Sequence, residues 1–240
     1  ISNIKHLYLS NNEIRYICPH KLKRLMKIKT LGLKGNPLNV FPDVTPLNNT
    51  LETLYVGDVG LSAVPRHLID PLIKLTRLNL NKNKLTTVPN MAILNMNTRL
   101  TYLILRENPI KKLHLRDAES LYHVKEVRMN YTAIQTLPKF CPMKPTHISL
   151  AGSKFDPCAC ENSWVKLPDC NVTVSVDEVI CPGAAKPWID LTYQGLIAVC
   201  RNISVSLDAD DFMRGNNSVS DSLKLTDLNI HPFEVITYEI

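Results

Sequence analysis

Cysteine is the residue type in this 240-residue chain whose number and spacing could do chemistry. Seven are present, Cys18, Cys141, Cys158, Cys160, Cys170, Cys181 and Cys200, and four of them crowd into residues 158–181. Clustered thiols either ligate a metal or oxidise to disulfides. Zinc sites pair their ligands as C-x-x-C or H-x-x-x-H. Cys158-x-Cys160 and Cys18-x-His20 lack that spacing, so neither a metal nor any other cofactor is expected. Disulfides are the better reading, because five N-x-[ST] sequons accompany the cysteines, at Asn48, Asn130, Asn171, Asn202 and Asn216. Together they place the chain in an oxidising compartment, secreted or at the cell surface.

Catalytic constellations are missing. The chain holds no G-x-S-x-G, no H-E-x-x-H and no glycine-rich phosphate loop, and it has only eight glycines. The seven histidines are scattered. Asp208 to Asp211 make an acidic run, but the twelve-residue spacing of a calcium loop is absent. A non-enzymatic protein is expected. No run of apolar residues approaches 18, so no transmembrane helix is expected, and no basic-then-apolar leader opens the chain. The first residues already stand inside a repeat, which reads as a fragment of a longer precursor.

The net charge of +6 hides an asymmetry. Residues 1–157 carry 23 Lys and Arg against 10 Asp and Glu, whereas residues 158–240 carry 5 against 12. Two regions with different roles are implied.

The element that must position these residues is a repeat of the form L-x-x-L-x-L-x-x-N-x-L. It appears at Ile4, Leu7, Leu9, Asn12 and Ile14, and again at Ile28, Leu31, Leu33, Asn36 and Leu38. The asparagine position recurs at Asn12, Asn36, Val59, Asn83, Asn108, Thr132 and Ser153, at spacings of 24, 23, 24, 25, 24 and 21 residues. The L-x-L part predicts a short strand with its leucines inward. One such unit cannot bury its apolar side alone, whereas stacked units share a continuous core under a parallel sheet. An inward asparagine satisfies backbone groups at the bend. Val59 cannot, so irregularity is expected there. Pro42, Pro65, Pro89 and Pro138 follow the bends and start the outer turns, and Val64 to Leu75 fits a short outer helix or turn.

These repeats resemble the typical leucine-rich repeats of extracellular receptors and adhesion proteins, including Toll-like ectodomains. The resemblance covers residues 1–200. It implies an α/β solenoid with a curved parallel concave sheet and loops or short helices on the convex side. After the last repeat, Phe155, Asp156, Pro157, Cys158, Cys160 and Trp164, with Cys181 and Cys200 beyond, resemble the cysteine-rich C-terminal flank of that family. The flank pairs first with third and second with fourth, which implies Cys158–Cys181 and Cys160–Cys200. Trp164 would cover the last repeat. Cys170 is an addition to the pattern, with Cys141 as one candidate partner, and Cys18 is left over. The expected domains are a solenoid over 1–157, a cap over 158–201, and 202–240 as a tail, linker or the start of further repeats. Ser222 to Ile230 alternates in a way that fits another strand.

The residues flanking the inward leucines face the concave side in three columns. Neighbours within a column stand about 4.8 Å apart. Tyr55, Arg77, Asn79, Tyr102, Ile104 and Arg106 then form one patch, with Arg128 beside it. Tyr and Arg carry much of the energy at interfaces, and an exposed isoleucine there calls for a reason; strand faces also favour aromatics by propensity alone. A glycan on Asn130 would shield the later repeats. A protein ligand on this face is expected. The alternative is a secreted matrix protein binding anionic glycans through its basic solenoid. Nucleic acid is the lesser version, since a base-stacking platform is lacking.

Overall fold

The computed structural model describes residues 3–89, 99–114, 117, 121, 124–139 and 147–201, all within the unit Ile1–Ser204. The candidate sites Cys141, Asn202 and Asn216, and the segment 202–240, lie outside the described residues.

Among the described residues, eight three-residue strands form one parallel sheet in chain order: β1 His6–Tyr8, β2 Thr30–Gly32, β3 Thr53–Tyr55, β4 Arg77–Asn79, β5 Tyr102–Ile104, β6 Glu126–Arg128, β7 His147–Ser149 and β8 Thr173–Ser175. Each of the first seven has the first leucine position of an L-x-L segment at its centre. Their central residues Leu31, Leu54, Leu78, Leu103, Val127 and Ile148 pair in register and are buried. The second inward column, Leu33, Val56, Leu80, Leu105, Met129 and Leu150, is buried as well. Each of these side chains contributes roughly 1.5–3 kcal/mol by leaving water. At the first repeat Leu7 and Leu9 are partly buried against the same core. On the outer side the chain returns through short turns, among them α1 (Pro19–Leu22), a 3-10 turn at Thr45–Leu47 and α2 (Arg66–Ile69). The last falls within the Val64 to Leu75 stretch and follows Pro65.

The asparagines bind the repeats to one another. Asn83 Nδ2 donates to Val56 O and Leu80 O, both at 2.9 Å, while its Oδ1 accepts from Val59 N at 3.2 Å and Leu61 N at 3.0 Å. Asn36 and Asn108 make the same kind of bridge to the preceding repeat. Thr132 reaches only Met129 O, within its own repeat. The residue just before each of these positions is left-handed in all seven repeats: Asn11, Gly35, Asp58, Lys82, Glu107, Tyr131 and Gly152, with φ between 54° and 71°. Val59 therefore sits in the same bend as its counterparts. The expected irregularity does not reach the sheet, where β3 stays in register with both neighbours. It shows at Gly60, at φ 81°, and at Asn39 in the repeat before, at φ 58°, whose N donates to Val59 O; Asn83 makes to this repeat the bonds that Asn36 and Asn108 make to theirs.

The cap begins with Cys158 and ends in α3 (Tyr193–Cys200). Cys158 is joined to Cys181, and Cys160 to Cys200, with Cα separations of 5.5 and 5.3 Å. Cys170 is also disulfide-bonded, to a partner outside the described residues. Cys18 is a free thiol, half-buried at the start of α1. Trp164 is buried in the core that runs on from the last repeat. The cap also extends the sheet: Val174 pairs with Ile148, and His147 Nε2 lies 3.1 Å from Ser175 Oγ. Asn162, fully buried, continues the asparagine role, with Nδ2 donating to Asp156 O at 2.7 Å and Oδ1 accepting from Leu137 N at 3.3 Å. Lys166 Nζ lies 4.1 Å from the centre of the Trp188 ring and donates to Ile189 O. Burial pulls the Lys166 amine below the ordinary lysine value, and Asp190 opposes that pull.

Candidate binding face

The strand register sets the site. Arg77 and Tyr102 are paired residues on β4 and β5, and the Arg77 guanidinium lies 4.7 Å from the centre of the Tyr102 ring. Asn79, Ile104 and Arg128 follow one another across β4, β5 and β6, with Tyr55 before them on β3. Arg77, Tyr102, Ile104, Glu126 and Arg128 line a small pocket of about 60 Å³. Arg128 Nε donates to Glu126 Oε1, so that arginine is held by its own strand. Asn79 Oδ1 accepts from Asn81 N at 3.0 Å, which fixes its side chain toward the bend.

Arg77 and Arg106 differ from Arg128. Among the described residues neither has a carboxylate ion-pair partner, whereas Glu126 and Glu107 are engaged by Arg128 and Lys82. Arg106 lies 5.7 Å from the centre of the Tyr131 ring, and its Nε is buried without a hydrogen-bond partner among the described residues. A buried donor left unpaired costs on the order of 1–3 kcal/mol. The two arginine–tyrosine pairs give the face stacked cations, each retaining N–H groups to offer a carboxylate.

All seven sequence-derived residues fall on one sheet face, but not equally exposed. Arg77, Tyr102 and Arg128 are exposed, while Tyr55, Asn79 and Arg106 are half-buried. Ile104, expected to be exposed, is half-buried too, because it forms part of the pocket wall between the longer side chains. Tyr131 was missed: it stands in the bend after β6, outside the columns, and turns back to meet Arg106. Its neighbour Asn130 donates from Nδ2 to Ser149 Oγ at 2.8 Å, so the atom a glycan would take is already bonded. Asn171 is exposed in the cap and Asn48 is half-buried after the Thr45–Leu47 turn. No three His, Cys, Asp or Glu side chains converge among the described residues, and none of the described helices is long and apolar enough to cross a membrane.

The fold that carries this face is the leucine-rich-repeat solenoid. A Leucine Rich Repeat family model matches residues 3–25. A leucine-rich-repeat protein of Leptospira interrogans superposes with a TM-score of 0.53 at 22% identity, over 72% of this chain and 49% of its own. The present chain thus spans about half the length of that protein. Internalin C2 of Listeria monocytogenes superposes with a TM-score of 0.54 at 23% identity, over 73% of this chain and 72% of its own. No curated protein sequence matches the chain significantly.

Proposed function

We propose that this is an extracellular ligand-binding module, the ectodomain region of a surface receptor or adhesion protein, which binds a protein partner on the concave sheet face. The observation that carries the reading is the pair of stacked arginines, Arg77 and Arg106, whose charges meet no carboxylate among the described residues. They favour a partner surface that presents carboxylates beside an apolar or aromatic group able to enter the small pocket. The disulfide-stapled cap supports an oxidising compartment. Binding of the purified chain to an array of secreted and cell-surface proteins tests the reading, beside an Arg77→Glu/Arg106→Glu variant. A selective partner should bind the variant at least about tenfold more weakly, as expected for arginines at the centre of an interface. Partners kept by this variant but lost on changing exposed cap residues would refute the concave-face assignment.

A further inference from the structure

A second basic surface lies off the concave face. The residues immediately before the strands form a hydrogen-bonded row of their own: Lys29 N donates to Lys5 O, Glu52 N to Lys29 O, Thr76 N to Glu52 O, and Thr101 N to Thr76 O. Positions two residues earlier repeat at the same period, giving Lys27, Thr50, Lys74 and Arg99. Between the two rows runs a groove of about 450 Å³. Its wall carries five cations, Lys5, Lys27, Lys29, Lys74 and Arg99, against a single carboxylate, Glu52. Glu52 is already taken, since Lys29 Nζ lies 2.7 Å from its Oε1. Lys27 Nζ donates to Asn3 Oδ1, a neutral partner that leaves its charge uncompensated.

We propose that this groove is a binding site for a linear sulfated polysaccharide. Like charges gathered across several repeats repel one another, and a polyanion relieves that repulsion while releasing its own counterions. Lys5 and Lys29 stand one repeat apart, as do Lys74 and Arg99, about 4.8 Å from strand to strand, with Thr50 between Lys27 and Lys74. A chain with anionic groups on successive sugars can meet these cations in turn. The lining holds no aromatic side chain, so bases would find no stacking surface, which disfavours single-stranded nucleic acid. Hydroxyl and amide groups from Thr50, Thr76 and Asn49 instead match a ligand rich in hydroxyls. The groove is set by charge on the flank of the sheet and does not depend on the concave-face reading.

The test measures binding of heparin-type oligosaccharides at about 150 mM salt, with single-stranded DNA of equal charge alongside. Three proteins are compared: the native chain, Lys27→Glu/Lys74→Glu/Arg99→Glu, and Lys84→Glu/Lys111→Glu/Lys112→Glu. The last changes net charge equally at exposed lysines outside the groove. The groove variant should bind the oligosaccharide at least about tenfold more weakly, with a shallower salt dependence, and the second variant should stay within about threefold of native. A Lys27→Gln/Lys74→Gln/Arg99→Gln protein with native circular dichroism keeps the comparison open if the charge reversal unfolds the chain. Equal losses in both reversal variants would show that charge is diffuse and overturn the site. Binding of DNA as tight as that of the oligosaccharide would overturn the assignment to sulfated glycan, as would no oligosaccharide binding by the native chain.

Discussion

Removing the Asn83 side chain should loosen the middle of the solenoid far more than its size suggests. Asn83→Ala deprives Val59 N and Leu61 N of their acceptor and Val56 O of a donor, while Leu80 O keeps its bond from Asn108. Three buried backbone groups thus lose a partner. At roughly 1–3 kcal/mol each the cost is on the order of 3–9 kcal/mol. Water entering the polar space left behind offsets part of it, which brings the expectation to about 3–5 kcal/mol. Asn12 is the internal control. It is exposed and bonds only to Leu9 O and Ser10 O, groups that water can reach, so Asn12→Ala should cost about 1 kcal/mol or less. Solenoids need not unfold in one step, so denaturant melts should be paired with amide hydrogen exchange. In Asn83→Ala the Val59 and Leu61 amides should exchange faster by two orders of magnitude or more. If the two variants cost the same, or if those amides keep their protection, the asparagine bridge does not hold the repeats together as argued.

The other expectations concern packing, the cap and one titration. Leu78→Ala, at a fully buried central position of β4, should cost about 3–5 kcal/mol in a denaturant melt, whereas Tyr8→Ala, on an exposed strand site, should cost less than about 1. Cys160→Ser/Cys200→Ser opens a loop of sequence separation 40 and should lower stability by about 4 kcal/mol, read from the melt of the cap tryptophans Trp164 and Trp188. Burial lowers the Lys166 amine in the folded state, so the unfolded chain binds more protons as pH approaches 10.5. The penalty for burying that charge should therefore be present at neutral pH and relieved as the solution becomes alkaline. Lys166→Met should lack this rise, and an identical pH slope in both proteins would refute it.

The solenoid was legible because one period organises the whole region. The asparagine positions name the bends, and the L-x-L segments name seven of the eight strands. The candidate patch was legible for the same reason, since a strict register turns sequence spacing into spatial neighbours. What escaped depends on contacts that spacing does not encode. β8 hides in Thr173–Ser175, where no leucine frame surrounds the alternation of Val172 and Val174. Asn162 performs the asparagine role from within a 3-10 turn, far from the position the frame assigns to it. Ile104 is half-buried because it forms part of a pocket wall, and Tyr131 joins the site because its left-handed bend aims it back toward Arg106. The basic groove is drawn from rows before the strands. Its lysines look like scattered surface charge until those rows, too, are stacked.

The bridge between Cys160 and Cys200 also sets how the protein answers tension along its chain. Force arriving at Cys200 passes through sulfur to Cys160, just beyond the final repeat, and bypasses everything between. Some 40 residues, about 130 Å of extended chain, are held slack while the bond is intact. Under a reducing agent that reserve of length is released. The same molecule then becomes a longer and softer tether, and extension under constant force would report the redox state of the cap's disulfides together, since Cys158–Cys181 holds part of the same stretch.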